Sequence, residues 1–123
     1  MSLGITLVSH VPEVAIGLKK LLKQVAVDIS ITTAGGTDDC DIGTSMGKII
    51  QAFTDNSATE ILAFYDLGSA KMNLEMAVEL TDKPVHVYNA AFIEGAYTAA
   101  SLAQAGVTRK EIEQQLKPLL VKE

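Results

Sequence analysis

Two polar side chains stand where apolar runs end. His10 follows the β-branched run 4–8 and Ser9, and Asp66 follows the near-continuous apolar run Glu60–Tyr65. A neutral imidazole nitrogen attacks phosphorus when its other nitrogen is held as N–H by an acceptor. Asp66 is the natural acceptor: it would fix the tautomer and stabilise the positive charge that develops on the ring. Plainer readings exist for both residues, His10 as a histidine bonded to backbone at a helix start and Asp66 as a helix N-cap. For Asp66 the two roles are compatible.

Glycines and hydroxyls gather at similar positions. A phosphoryl group needs donors around its oxygens, and backbone N–H groups at helix starts supply them. Gly43-Thr44-Ser45 and Gly68-Ser69 offer two such starts, Ser9 adds a hydroxyl beside His10, and Gly35-Gly36 lets backbone approach closely. A plain turn explains the last pair equally well.

For these residues to meet, several strand ends must lie side by side. Residues 4–8 read as a strand, and Pro12 then fits the first turn of a helix whose apolar face is Val14, Leu18, Leu21, Leu22 and Val25. Val27, Ile29 and Ile31 alternate with polar residues, which predicts a second strand, followed by an acidic turn at residues 35–41. Thr44 or Ser45 caps a helix carrying Ile49, Ile50 and Phe53. Glu60–Tyr65 reads as a strand covered on both faces, and after it comes a helix with Met72, Met76, Val78 and Leu80 inward. Residues 84–88 give a fourth strand, and residues 89–106 a helix dominated by small side chains. Thr108 with Glu111 is a capping box for a last helix through about Val121. Strand and helix therefore alternate four times. That order predicts an α/β fold: an open, mostly parallel four-stranded sheet with helices on both faces, in three layers. Ligands of such sheets bind outside the carboxyl ends of the strands, where His10, Asp66 and Asn89 stand.

The 123 residues suggest one domain, 1–123, at about 150 residues per domain. With 48% hydrophobic and 20% charged residues, disorder is excluded. Cys40 is the only cysteine, so no disulfide forms within the chain. Ten basic against fifteen acidic residues give a net charge of −5, and no basic run marks a nucleic-acid footprint. Lys19, Lys20 and Lys23 share one early helix and read as a solvated face. No run approaches the ~20 apolar residues of a membrane span, and no charged start precedes an apolar core as in a signal peptide. The chain is expected in the cytoplasm.

Competing motifs are absent. There is no GxxxxGK[ST] and no GxGxxG after a strand. A response-regulator receiver needs acidic metal ligands after its first strand, where this chain has Ser9-His10. No ligand spacing among His10, Asp38, Asp39, Cys40 and Asp41 supports a metal site. His86, between Val85 and Val87, reads as structural, Cys40 as a loop residue, and Met72 and Met76 as core.

The strand ending Val8-Ser9-His10, the segment from Gly35-Gly36 through Ile42-Gly43-Thr44-Ser45, and Asp66-Leu67-Gly68-Ser69-Ala70-Lys71-Met72-Asn73 together resemble the DhaM family. These are phosphotransferase subunits of phosphoenolpyruvate-dependent dihydroxyacetone kinases, grouped with the mannose-type IIA domains of the bacterial sugar phosphotransferase system. The resemblance spans essentially the whole chain. Mannose IIA domains proper carry a Trp-Gly-Gly-Ser-Pro loop after the aspartate, and this chain has no tryptophan.

The resemblance implies that His10 takes a phosphoryl group from the carrier protein HPr, at its tele nitrogen. His10 would pass the group to ADP held on DhaL, and the ATP remade there phosphorylates dihydroxyacetone on DhaK. Nucleotide and Mg²⁺ then belong to DhaL, with no cofactor on this chain. Asp66 carries over as the strand-end aspartate, and the loops around Gly36, Thr44 and Ser69 as phosphate or ring contacts. Some relatives carry fused HPr-like domains, for which 123 residues leave no room, so a separate HPr is implied. A homodimer is also implied, with residues 90–106 packing on a twin, and Lys19, Lys20 and Lys23 would serve DhaL docking. Two alternatives remain at this point: a mannose-type IIA subunit serving a IIB sugar domain, and a non-catalytic module that binds a phosphate ligand.

Overall fold

The computed structural model describes residues 2–122. Its elements run β1 (Leu3–Ser9), α1 (Pro12–Lys23), β2 (Ile31–Gly35), α2 (Met46–Asp55), β3 (Glu60–Tyr65), α3 (Lys71–Leu80), β4 (Val85–Tyr88), α4 (Phe92–Gln104) and α5 (Arg109–Leu116). Single 3₁₀ turns at Gly68–Ala70 and Lys117–Leu119 precede α3 and follow α5. The strands pair in the order β2-β1-β3-β4, all parallel. Side chains alternate across the sheet. Ile5, Leu7, Leu62 and Phe64 face α1, α4 and α5, while Val8, Ile61, Ala63 and Tyr65 face α2 and α3. Every residue of β3 is buried, as its near-continuous apolar run predicts for a strand covered on both sides. The chain is a three-layer α/β fold.

Local expectations for the second strand, α1 and α3 are corrected. The second strand lies at Ile31–Gly35, not over Val27–Ile31. Residues 24–30 leave α1 through successive turns, with the Val25 and Ala26 amides donating to Leu22 O and Ile29 N–H to Ala26 O. Val25 and Ile29 tuck against the core while Val27 is 71% exposed, so a turn produced the alternation that mimics a strand. In α1 the buried stripe is Ala15, Leu18 and Leu22, leaving Val14 and Leu21 outside. In α3 the buried stripe is Leu74 and Ala77, continuing from Ala70, and Met72, Met76 and Leu80 are exposed. Both stripes of α3 have helical spacing, and the one with small alanines packs closer to the sheet.

The small face of α4 lies against the chain's own sheet rather than being free for a twin. Gly95, Ala96, Ala99 and Ala100 are buried, and a Cβ on Gly95 would stand 2.7 Å from Ala90 Cβ and 3.4 Å from the Phe64 ring. That helix also begins at Phe92, after a short non-helical passage through Asn89 and Ala91. Beneath the sheet, the buried Asn56 amide donates to Ile5 O and Ser30 O and its carbonyl accepts from Ala58 N–H, tying β1, β2 and β3 at their starts.

Candidate active site

Register brings the two key residues together. Val8 pairs with Tyr65 across the parallel β1–β3 ladder, and Asp66 N–H donates to Val8 O at 3.1 Å. His10 and Asp66 therefore leave adjacent central strands at the same height. Four donors converge on the Asp66 carboxylate. Oδ2 accepts from Ser9 Oγ at 2.8 Å and from His10 N–H at 2.9 Å. Oδ1 accepts from Leu67 N–H at 2.7 Å and contacts His10 Nδ1 at 2.8 Å. Burial raises the Asp66 pKa, but the bonds from His10 backbone and ring, Ser9 and Leu67 outweigh it and hold the carboxyl below its ordinary value.

An ionised carboxylate only accepts, so His10 Nδ1 carries a proton, and in the neutral ring Nε2 then keeps its lone pair. Ser69 Oγ stands 2.7 Å from Nε2 and is the donor of that bond. Ser69 belongs to the 3₁₀ turn Gly68–Ala70 at the head of α3, which Leu67 enters in extended conformation. The amides of Gly68 and Ser69 open this helical run, where N–H groups lack intrahelical acceptors. The His10 side chain is 15% exposed: its ring is held on two sides and open on the third.

The opposite wall is the loop 36–45. Gly36 N–H donates to Ser9 O at 3.1 Å and Gly43 N–H to His10 O at 2.9 Å. Gly36 has φ +77°, and a Cβ there would meet Asp41 O and Pro12 Cγ at 2.9 Å, so only glycine fits. Thr44 Oγ1 accepts from Asn73 Nδ2 at 2.8 Å, joining this wall to α3.

The structure separates the sequence-predicted contacts into two groups. Ser69 meets the His10 ring, Thr44 lies on the loop 36–45 bonded to Asn73, and Gly68 opens the turn that carries Ser69. Ser9, Gly36 and Ser45 are held by bonds within the chain. The Ser9 side chain is buried between Asp66 and Val11 N–H. The Gly36 amide is taken by Ser9 O. Ser45 Oγ caps α2 by accepting from Lys48 N–H and donates to Asp38 Oδ1 at 2.5 Å.

Three features were not read from the sequence. Asn73 stands one helical turn after Ser69 and donates to Thr44 Oγ1. Lys122 donates to Tyr65 O at 2.6 Å and to Ala90 O at 2.8 Å, beside the Tyr65 ring, with nothing local to announce it. At the other end of the strands, Glu60 pairs with His86 Nε2 at 2.6 Å and Arg109 Nε at 3.0 Å, and Glu113 joins Arg109 and Tyr88. His86 therefore belongs to an ion cluster remote from His10. Among the described residues, no group of three or more His, Cys, Asp or Glu is arranged to hold a metal ion, and no helix is long and apolar enough to cross a membrane.

Comparison with known proteins agrees with this geometry. The profile of the EIIA-man family, described as "PTS system fructose IIA component", matches residues 4–113. The chain is 48% identical over 121 residues to the Lactococcus lactis "PTS-dependent dihydroxyacetone kinase, phosphotransferase subunit DhaM", covering 98% of each protein. It is 41% identical over 119 residues to a Listeria innocua DhaM described as a phosphoryl donor subunit, covering 97% of this chain and 96% of that one. Among solved structures, one described as a protein of unknown function, EF1359, superposes with TM-score 0.85 at 31% identity, covering 99% of this chain and 98% of that one. On the family match and these full-length relatives, the chain belongs to the EIIA-man family, and within it to the DhaM subunits.

Proposed function

We propose that this chain is the phosphoryl donor subunit of a phosphoenolpyruvate-dependent dihydroxyacetone kinase, working as a phosphohistidine carrier. The observation that carries the reading is the His10 ring, fixed through Nδ1 by Asp66 with Nε2 directed at Ser69. In the charging step, the Nε2 lone pair attacks the phosphorus of phospho-HPr. The new N–P bond forms as the donor's N–P bond breaks, and that electron pair returns to the donor's ring. Positive charge on the His10 ring is balanced by Asp66 through Nδ1–H. Ser69 Oγ–H, freed from Nε2, turns to a phosphoryl oxygen. In the discharging step an oxygen of the ADP β-phosphate attacks phosphorus, and the pair of the breaking bond returns to Nε2. Transfer of this kind needs in-line geometry and charge stabilisation more than further covalent chemistry.

In this reading ADP and its Mg²⁺ enter on DhaL, DhaK holds the ketose, and the chain itself carries no cofactor. A homodimer is part of the proposal, with its contact outside the small face of α4. The fructose description of the family profile favours one second reading, delivery of the phosphoryl group to a IIB sugar domain.

The test is phosphoryl transfer from phosphoenolpyruvate with enzyme I and HPr onto the chain and onto His10→Ala. Intact mass should show one acid-labile phosphoryl group on the wild type only. The charged chain should then discharge to DhaL loaded with ADP. Discharge to a IIB domain instead would replace the kinase reading, and failure to charge with an active donor set would end both.

A further inference from the structure

Asn73 lies four residues after Ser69: Ser69 Oγ reaches His10 Nε2, and Asn73 Nδ2 reaches Thr44 Oγ1 at 2.8 Å. Thr44 directly follows Gly43, whose N–H holds the His10 carbonyl. The Asn73–Thr44 bond thus links the two walls that flank the histidine, one from α3 and one from the loop 36–45. Its direction matters chemically. A side-chain amide N–H only donates, so Thr44 Oγ1 accepts from Asn73, and its single hydroxyl proton is turned elsewhere. A hydroxyl that accepts one hydrogen bond becomes a better donor in its next one.

We propose that Asn73 is a positioning residue for phosphoryl transfer: it holds the Thr44 hydroxyl so that its proton is presented to the phosphoryl group on His10. The proposal rests on the carrier reading above and adds a second hydroxyl donor to Ser69, on the opposite wall. During charging, the N–P bond to Nε2 forms while the donor's bond to phosphorus breaks, with its electron pair leaving on the donor. Negative charge on the transferred oxygens is then met by Ser69 from the α3 side and by Thr44 from the loop side. Asn73 touches neither phosphorus nor His10. It acts by setting which way the Thr44 proton points.

The test is the rate of phosphoryl uptake from phospho-HPr by the full chain carrying Asn73→Ala, Asn73→Asp, Thr44→Val, Thr44→Ser, or Asn73→Ala with Thr44→Val. Asn73→Asp keeps the shape but replaces the donor with an acceptor that captures the Thr44 proton, and thermal melting shows which variants are folded. Asn73→Ala and Thr44→Val should each slow uptake about tenfold, as expected for one hydrogen bond to the transferred group. The double variant should be no slower than Thr44→Val, Thr44→Ser, which keeps the hydroxyl, should be faster than Thr44→Val, and Asn73→Asp should be at least as slow as Asn73→Ala. Normal uptake by Asn73→Asp overturns the proposal, as does a double variant slowed about a hundredfold, which would mean two independent effects. Failure of the carrier reading is separable, since it shows in the wild type as uptake no greater than that of His10→Ala.

Discussion

Asp66 holds His10 at two points with one carboxylate: Oδ2 takes the backbone N–H at 2.9 Å, and Oδ1 the ring Nδ1 at 2.8 Å. Main chain and ring are therefore fixed by the same group, and the side chain cannot turn about its first bond without losing a charged acceptor. Preorganisation of this kind matters most where a nucleophile must meet phosphorus in line.

Asp66→Asn keeps the shape but breaks this arrangement. Ser9 O–H, the His10 and Leu67 backbone N–H groups and His10 Nδ1–H all point at the two carboxylate oxygens. An amide offers one oxygen and turns its NH₂ against the remaining donors. Phosphoryl uptake should fall by about 100-fold or more, by analogy with histidines that lose an orienting aspartate. Rapid-quench kinetics decide it, and a normal rate would leave Asp66 as a helix cap alone.

The pH dependence has a definite sign. Folding lowers the Asp66 pKa from its ordinary 3.8, so the folded state favours the charged carboxylate. Its stabilisation is complete above that ordinary value and is lost as pH falls through the lower, folded value. Urea unfolding of wild type and Asp66→Asn should differ by a constant amount from neutral pH down to about 4 and converge below it. A gap that closes instead between pH 5 and 7 would contradict the assigned cause.

Ser69→Ala separates two roles of the hydroxyl. If Ser69 hands its proton from Nε2 to the phosphoryl group, the variant should charge about tenfold more slowly. If it only shields Nε2, the variant should charge faster. Thermal stability should change by less than about 0.5 kcal/mol, as for an exposed surface substitution.

Asn56→Ala addresses the frame rather than the chemistry. The residue is 1% exposed, and its side chain serves Ile5 O, Ser30 O, Thr32 Oγ1 and Ala58 N–H. Removing it strands buried groups in the first three strands and should cost about 2–3 kcal/mol, lowering the melting midpoint by roughly 8–15 °C. Calorimetry measures this directly, and a shift under a few degrees would mean that water replaces the amide.

Much of the fold was legible because parallel sheets write plain signals. The near-continuous apolar run of β3, the Ser45 cap and the Thr108 cap with Glu111 all lie where their residue types place them. Errors arose where two readings share one period. Val27, Ile29 and Ile31 alternate in a turn as they would in a strand, and Met72–Met76–Leu80 has the spacing of the Ala70–Leu74–Ala77 stripe that is buried. In α4, smallness signalled close packing but not against what, and the partner is the chain's own sheet.

At the site, His10 and Asp66 were readable because the ends of neighbouring parallel strands must meet. For Ser9, Gly36 and Ser45 the residue type does not announce the bonds that their hydroxyls and amide make within the chain. Asn73 and Thr44 are 29 positions apart, and no local pattern announces a bond between them. The cluster of Glu60, His86, Arg109 and Glu113 spans three elements, β3, β4 and α5, and is hidden for the same reason.

The parallel sheet also gives the molecule a working end and a handling end. The seven residues of β1 separate Leu3 from the site by about 20 Å at ~3.3 Å per residue. Lys122, in contrast, is anchored on Tyr65 O, one residue before Asp66. A surface anchor, dye or fusion partner joined ahead of Ser2 would leave the His10 face open to incoming proteins. Lys122 is tied to the Asp66 end of the strands, so immobilised or tagged preparations should be built from the amino-terminal side.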